Sequence, residues 1–230
     1  MQTLKFLGNG SGFTESHTNA FFVKGKSLVI IDLSMINLYK LLNLQPEKYN
    51  KIFLFVTHMH DDHTSGIGLF LQHMYYLKQK TVYIVAPFEI RIGLKTEFEL
   101  KGIDSNAYIF KEPDKIKSLG ICALAIKTNH SPELYGKCFG YIFYLDNRIL
   151  VYSGDTVEYS IWEKFARKTK SELYLDMSCE YGKVHLLYDD VKEKVSKLAE
   201  DTDVYFMHID NMDKMKELIK DTNIKIVETI

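Results

Sequence analysis

The sequence has few cysteines, no long apolar run and almost no net charge. Its three cysteines, Cys122, Cys138 and Cys179, are widely spaced and odd in number, which predicts reduced thiols in a cytoplasmic protein instead of a disulfide framework. No stretch approaches the roughly 18 uncharged apolar residues of a membrane span, and no basic segment followed by an apolar one indicates a signal peptide. The net charge is -1, so no basic excess indicates non-specific nucleic-acid binding.

The chain also lacks a linker, a low-complexity tract and an internal repeat. Its 230 residues, 46% of them hydrophobic, are enough for one good-sized core, although length alone allows one domain or two small ones. Because nothing in the sequence separates two halves, we expect residues 1–230 to form a single domain.

A cluster of polar residues stands out against this background. Positions 58–63 hold three histidines and two aspartates, in the order His58-Met59-His60-Asp61-Asp62-His63. The preceding run, Lys51 to Val56, is β-branched and aromatic and predicts a buried strand, whereas Thr64 onward predicts a helix. The cluster therefore lies on a turn at the C-terminal end of a strand, where open α/β folds gather ligands.

The donor types in this cluster favour a metal of the zinc type. Imidazole nitrogens and a carboxylate oxygen suit zinc better than calcium or magnesium, which prefer all-oxygen shells. The simpler interpretation is a polar loop in which Asp61 or Asp62 caps a helix. Capping needs only one carboxylate and leaves the three histidines unexplained.

The glycine-rich stretch Gly8 to Gly12 has a different explanation. A phosphate-binding Rossmann turn would lead into a helix, but here a strand, Ala20 to Val23, follows, so a hairpin-type loop is the better prediction. His17, in the same loop, is expected at the surface or at the rim of a substrate site and not among the metal ligands.

The pattern His58-x-His60-x-Asp62-His63 resembles the signature of the metallo-β-lactamase superfamily. A complete site of that superfamily needs a further histidine, a bridging aspartate and a last histidine, and the chain has all three in order, each after a strand-like run: His130, Asp155 and His208.

The resemblance implies two divalent cations, with zinc expected and manganese or iron as alternatives. One would be held by His58, His60 and His130, the other by Asp62, His63 and His208, with Asp155 between them. Asp62 is expected to serve catalysis as well. A bound pair of such ions would lower the pKa of water from about 15.7 to about 7 and make it the nucleophile.

The fold class expected from the pattern is α/β or α+β. Strands pair early as hairpins and later alternate with helices, which supports only a mixture of the two. The four-layer αββα sandwich is what the superfamily resemblance implies.

A second segment, Asp176 to Tyr188, resembles the corresponding part of the RNase Z-like phosphodiesterases of this superfamily. In those enzymes a histidine that is not a metal ligand precedes the last ligand by a similar interval, contacts phosphate and protonates the leaving oxygen. His185 matches that position, and Glu180 is expected to orient it. The match is incomplete, because Leu187 replaces the usual Ser or Thr.

The resemblance favours compact phosphodiesterases over tRNA-processing enzymes. RNase Z carries a long Gly/Pro-rich arm between the positions of His130 and Asp155, and no such arm fits in this interval. We therefore expect a small phosphodiester substrate and no tRNA. Armless relatives act on cyclic nucleotides, as the anti-Pycsar enzymes do, or on cyclic phosphates in phosphonate breakdown, and they suggest a homodimer.

Two other functions remain open. A thioester or lactone hydrolase of the same fold would not need His185, and a non-catalytic metal-binding protein would not need a bridging Asp155. A β-lactamase is disfavoured because no signal peptide is predicted.

Overall fold

The computed structural model describes residues 2–167 and 170–230, and two six-stranded sheets form its centre. In the first sheet the strands follow chain order. β1 to β3 are antiparallel, and β3 to β6 are parallel. The strands are β1 (Lys5–Gly8), β2 (Asn19–Lys24), β3 (Ser27–Ile31), β4 (Lys51–Phe55), β5 (Val82–Val85) and β6 (Tyr108–Lys111).

The second sheet repeats this plan, with the order β12-β11-β10-β9-β8-β7. β7 to β9 are antiparallel, and β9 to β12 are parallel. The strands are β7 (Ala123–Thr128), β8 (Cys138–Tyr144), β9 (Ile149–Tyr152), β10 (Ser171–Asp176), β11 (Asp203–Met207) and β12 (Lys225–Ile226).

The helices cover the outer faces of the two sheets. The first sheet carries α1 (Met35–Asn43), α2 (Asp61–Thr64), α3 (Ile67–Gln72) and α4 (Phe88–Leu100), and the second carries α5 (Ser160–Ala166), α6 (Tyr188–Leu198) and α7 (Met212–Ile219). A π-helical turn, His73–Leu77, continues α3. Short 3-10 turns lie at Pro46–Lys48, Ser105–Ala107, Pro113–Lys115, Lys117–Leu119 and Pro132–Leu134.

Alternation along the strands explains the layers, because successive side chains of a strand point to opposite faces. In β4, Leu54 packs with the helices of the first sheet, whereas Phe55 faces the second sheet and lies edge-on against Tyr141. In β10, Leu175 packs with helices such as α5, around Trp162. Three apolar layers thus separate four structural layers, which confirms the predicted αββα sandwich. That residues 1–230 form one domain stays a prediction, which the shared middle layer supports.

The structure shifts the ends of three helices that the sequence pattern predicts, one from Thr64, one from Pro87 to about Thr96 and one from Val157 to Arg167. The helix expected from Thr64 begins at Asp61, where the two aspartates favour a helix start, and it is interrupted at Gly66. The N–H of Gly66 binds the carbonyl of Leu33 at 3.0 Å instead. α4 extends to Leu100, and α5 begins only at Ser160, because the N–H of Val157 binds the carbonyl of Asn129 at 2.9 Å.

The ends of the two sheets meet at one edge of the sandwich. The N–H of Phe139 binds the carbonyl of Thr57 across the sheets at 3.0 Å, and Ser11 binds Ile209 in the same way at 3.1 Å. The loops after β1, β4 and β11 therefore lie side by side. Within residues 2–167 and 170–230, no helix is both long and apolar enough to cross a membrane.

Candidate metal centre

The structure brings all seven candidate ligands together at this edge. The loop after β4 supplies His58 and His60, and helix α2 directly after it supplies Asp62 and His63. His130, Asp155 and His208 follow the ends of β7, β9 and β11. The ligand atoms form two groups, and within each group they lie within 4.8 Å of one another. This division matches the one that the sequence resemblance implied. That these residues bind metal stays a prediction.

Three imidazole rings form the first group. His60 Nδ1 lies 3.0 Å from His58 Nε2 and 3.3 Å from His130 Nε2. The ring nitrogens thus converge on one point from three directions.

The second group combines carboxylates with imidazoles. Asp62 Oδ2 lies 3.1 Å from His63 Nε2 and 3.2 Å from His208 Nε2. Asp155 Oδ2 lies close to the same two nitrogens, at 3.5 Å from His63 and 3.4 Å from His208.

Asp155 also reaches the first group. Its Oδ2 is 3.8 Å from His58 Nε2 and 3.6 Å from His130 Nε2. The carboxylate therefore lies between the two groups, and its side chain is only 3% exposed. This is the position that a bridging ligand requires.

Hydrogen bonds to the outer ring nitrogens fix how the histidines face the site. His63 donates from Nδ1 to Asp32 Oδ2 at 2.8 Å. Thr57 donates its hydroxyl to the same oxygen at 2.7 Å, so its oxygen accepts a bond from His58 Nδ1 at 3.0 Å. His130 Nδ1 donates to the carbonyl of Val184 at 2.5 Å. Each of these rings consequently directs its Nε2 toward the site, the arrangement found around metal-binding histidines.

One atom tests whether these residues fit a metal. His63 Nε2 is buried and has no hydrogen-bond partner among the described residues, although two carboxylate oxygens lie within 3.5 Å. A buried polar nitrogen is costly without a partner, and a cation beside these oxygens would provide one by replacing the proton on Nε2. Nitrogen and carboxylate donors without thiolates suit zinc, manganese or iron. The residues therefore fit a divalent metal.

The pKa shifts of the candidate ligands show that the metal centre favours positive charge. Burial opposes ionisation of Asp155, but His208 and His63 outweigh it and hold the pKa of the carboxyl well below its usual value. Burial opposes protonation of His208, yet Asp155 and Asp176 raise its pKa to about 10. A metal ion between these groups would compete with protons, so its binding would release them. For His58, burial and the charge of His63 hold the pKa well below its usual value, which leaves a neutral ligand.

His185 lies next to this centre without belonging to either main group. Its Nδ1 is 4.0 Å from Asp155 Oδ2 and donates to Asp176 Oδ2 at 2.9 Å. Burial lowers the pKa of His185, but Asp176 outweighs it and the net direction is upward. The ring can therefore carry a proton on Nε2 near neutral pH.

The expectation that Glu180 orients His185 needs correction. Glu180 is exposed, and its carboxylate lies 3.5 Å from both Lys214 Nζ and Asn211 Nδ2. The fully buried Asp176 binds the ring instead. The chain turns at Tyr181, so that His185 lies back toward the end of β10 and away from Glu180.

Three residues that orient histidines of the site escaped the sequence argument: Asp32, Thr57 and Asp176. Asp32 and Asp176 stand at the C-terminal ends of predicted strands, the signal that identified Asp155, and could have been found by it. Two non-glycine residues here, Asp32 and His208, have a φ of 58°. Such left-handed backbone is costly for L-residues and clusters at functional sites.

Replacing Asp32 by asparagine should weaken metal binding by about 10- to 100-fold, the usual effect of losing a residue that orients a ligand. The amide keeps the shape but removes the charge that holds the proton on His63 Nδ1. Competition with a chromophoric chelator measures the affinity, and circular dichroism checks that the variant folds. Asp189→Asn, at an exposed position on α6, is the control. An unchanged affinity would contradict this role of Asp32.

A cavity of about 430 Å³ opens directly above the centre, within the range of small-molecule sites. Its wall includes ligands of both groups together with His185. His17, which is half-buried, lies in the same wall. The cavity is therefore the place where a substrate would meet the metal.

Comparison with curated proteins finds ribonuclease Z of Saccharolobus islandicus, 29% identical over 135 residues. The match covers 57% of this chain and 46% of the ribonuclease. The chain thus spans about half the length of the curated relatives that it matches.

Solved structures share the fold over nearly the whole chain. The metallo-β-lactamase fold protein YhfI from Bacillus subtilis superposes with a TM-score of 0.77 at 16% identity, covering 98% of this chain and 96% of YhfI. A diphosphatase of the PhnP family gives 0.74 at 17% identity over 98% and 94% of the two chains. Zn²⁺-bound PqqB from Methylobacterium extorquens gives 0.73 at 8% identity over 98% and 97%. The predicted fold is confirmed.

The family model of the anti-Pycsar protein Apyc1 matches residues 2–229. A match of this length shows that the chain belongs to the anti-Pycsar protein Apyc1 family.

Proposed function

We propose that the protein is a phosphodiesterase that uses two divalent metal ions to hydrolyse a small phosphodiester, such as a 3′,5′-cyclic nucleotide. The observation that carries the proposal is the position of Asp155. One carboxylate oxygen lies within 3.8 Å of ring nitrogens from both ligand groups, and two cations sharing such a bridge suit in-line displacement at phosphorus.

The division of work among the residues follows from the hydrogen bonds. When bound, two divalent cations would lower the pKa of water and stabilise the charge that develops on the phosphoryl oxygens. Asp62 and Asp155 keep the centre negative enough to hold them. Asp32, Thr57 and Val184 keep the histidine rings in place.

His185 has the remaining role, as general acid. Its Nδ1 is committed to Asp176 at 2.9 Å, so the proton for catalysis would come from Nε2. As the bond between phosphorus and the departing ribose oxygen breaks, that proton passes to the oxygen. An alkoxide is a poor leaving group, and protonation lowers this barrier.

Three observations support a small phosphodiester as the substrate. The cavity of about 430 Å³ fits a mononucleotide. Ribonuclease Z and the PhnP-family diphosphatase, whose names state cleavage of RNA and of a diphosphate, are among the similar proteins. The chain belongs to the anti-Pycsar family, and the sequence resemblance implied action on cyclic nucleotides.

Zinc is the proposed metal, because the donors are nitrogen and carboxylate oxygen and because the similar PqqB binds Zn²⁺. Manganese and iron accept the same donors. Elemental analysis of protein purified without added metal distinguishes the three. A homodimer and a cytoplasmic location stay predictions.

Precursor tRNA should be cleaved at least about 100-fold less efficiently than a cyclic nucleotide. Between His130 and Asp155 the described chain forms only a 3-10 turn and the short hairpin of β8 and β9, which leaves no extended arm to grip tRNA. The kcat/KM values for both substrates, measured with the same metal-loaded protein, give the ratio. Equal efficiencies would show that another surface binds tRNA.

A substrate panel tests the proposal as a whole. It contains bis-para-nitrophenyl phosphate, 3′,5′-cyclic mononucleotides, precursor tRNA, thioesters and lactones, each with zinc or manganese. We expect the highest kcat/KM for a cyclic nucleotide. Preference for a thioester or lactone would replace the proposed substrate class, and bound metal without any turnover would indicate a non-catalytic protein.

A further inference from the structure

Two aromatic side chains stand at the mouth of the cavity without a role in metal binding or proton transfer. Phe13 is 98% exposed and Tyr181 is 52% exposed, and both line the cavity that contains the metal centre. We call them the aromatic rim. Exposed apolar side chains also occur elsewhere on the protein; Leu100, for example, is 84% exposed. The location at the substrate cavity is what distinguishes the rim.

Phe13 is held close to the second ligand group by the glycine before it. A Cβ on Gly12 would lie 2.9 Å from Asp62 Oδ2, so only glycine allows the backbone to pass this close to the carboxylate. The loop is tied down on both sides, because Ser11 N–H binds the carbonyl of Ile209 at 3.1 Å and Thr14 Oγ1 binds that of Ser11 at 2.8 Å. Phe13 thus projects from a fixed turn beside the metal centre.

Tyr181 is fixed in a comparable way from the other loop. Its N–H binds Ser178 Oγ at 2.7 Å, and the hydroxyl of Ser178 binds Asp210 Oδ2 at 2.6 Å. The carbonyl of Tyr181 accepts a bond from the N–H of His185 at 3.1 Å. Tyr181 therefore stands one turn from the proposed general acid.

The two loops are anchored on consecutive residues of the chain. Ser11 binds Ile209 and Ser178 binds Asp210, and consecutive Cα atoms are about 3.8 Å apart. Both anchors directly follow the ligand His208. The aromatic rim is consequently built on the same short segment that carries a metal ligand.

We propose that the aromatic rim binds the nucleobase of the substrate by stacking, an inference that rests on the proposed phosphodiesterase function. With the phosphate at the metal centre, the sugar and base of a mononucleotide extend toward the mouth of the cavity, where Phe13 and Tyr181 lie. Every nucleobase has a flat π-face, and aromatic side chains bind such faces in water-exposed sites. Stacking on either ring makes no hydrogen bond to the edge of a base, so this contact provides affinity and not selection of one base over another.

The test compares two substrates that differ only in the base. One is a 3′,5′-cyclic nucleotide, and the other is methyl ribofuranoside 3′,5′-cyclic phosphate, which has the same phosphodiester without a base. Phe13→Ala and Tyr181→Ala should each raise KM for the cyclic nucleotide by about 5- to 150-fold, the range for loss of a stacking side chain. The kcat value and all constants for the abasic substrate should change little, because stacking contributes equally to ground state and transition state.

Matched variants separate stacking from general damage. Phe88→Ala and Tyr76→Ala remove aromatic side chains of similar exposure, 61% and 60%, that do not line the cavity, and should leave both substrates unaffected. Phe13→Trp and Tyr181→Phe keep an aromatic face and should retain a low KM. Equilibrium dialysis with a hydrolysis-resistant phosphorothioate cyclic nucleotide should show the same order of affinities.

The possible results are distinct. A rise in KM for the cyclic nucleotide alone supports the inference. Cyclic nucleotide hydrolysis that is equally efficient in wild type and both alanine variants overturns it and leaves the proposed function intact. Equal losses on both substrates also overturn it, because they indicate damage to the metal centre. A wild-type protein that hydrolyses the abasic substrate but neither binds nor cleaves cyclic nucleotides overturns the inference alone, whereas hydrolysis of neither substrate by the metal-loaded protein overturns the proposed function.

Discussion

Replacing Asp155 by alanine is expected to lower kcat/KM for a phosphodiester by at least about 10³-fold, equivalent to about 4 kcal/mol of transition-state stabilisation, and to leave fewer than two metal ions per chain. The reason is geometric. Asp155 Oδ2 lies 3.4–3.8 Å from four ring nitrogens that belong to both ligand groups. Its removal therefore takes a ligand and a negative charge from both ions at once.

Metal content by mass spectrometry and steady-state kinetics on the same preparation measure this effect. Asp146→Ala removes an aspartate that is 95% exposed on the β8–β9 hairpin and should change neither quantity. Far-UV circular dichroism distinguishes a lost metal site from a lost fold. Retention of two metal ions and normal turnover in the Asp155 variant would refute the bridging role.

Replacing His185 by alanine is expected to separate chemistry from metal binding. Because His185 lies outside both main ligand groups, the metal content should stay at the wild-type level. Loss of the general acid should lower kcat for a cyclic nucleotide by about 10²- to 10⁴-fold. The loss should be smaller for bis-para-nitrophenyl phosphate, because nitrophenolate leaves without protonation.

Variants of two nearby carboxylates, Asp176 and Glu180, extend this experiment. Asp176 is the partner of His185, so Asp176→Asn should reduce kcat for the cyclic nucleotide by about tenfold, equivalent to about 1.4 kcal/mol, the approximate difference between a charged and a neutral hydrogen bond. Glu180 points toward Lys214 and Asn211, so Glu180→Gln should be nearly as active as wild type. A large loss for Glu180→Gln together with full activity of Asp176→Asn would restore the assignment made from the sequence.

His73→Ala provides the control for His185, since it removes a histidine from the π-helical turn after α3. It should leave kcat unchanged on both substrates. Near-normal turnover of every phosphodiester by His185→Ala would remove its role as acid. That result would favour a thioester or lactone hydrolase, in which the metals carry the reaction alone.

The sequence predicted the strands and the ligands because both depend on local signals. The predicted strands Ala20 to Val23 and Lys51 to Val56 correspond to β2 and β4, with ends shifted by at most one residue. Four candidate ligands came from the dense motif His58 to His63, and the superfamily resemblance added His130, Asp155 and His208. The prediction of four layers came from the family resemblance, because the alternation of residues along a strand does not show which sheet or helix packs against each of its two faces.

The errors concern contacts between distant parts of the chain. Asp32 holds His63 across 31 positions, and nothing near Asp32 in the sequence identifies this partner. The sequence analysis expected Glu180 to orient His185, whereas the ring hydrogen-bonds to Asp176. The interruption of the helix at Gly66 depends on the carbonyl of Leu33, another partner that only the fold brings near.

Titration of metal-depleted protein with zinc, followed by hydrolysis of a 3′,5′-cyclic nucleotide, tests the central claim most directly. Two ligand groups that share Asp155 predict that activity rises until two equivalents of zinc are bound per chain and then stays constant. A plateau at one equivalent, or the absence of hydrolysis with two zinc ions bound, would contradict the two-metal phosphodiesterase.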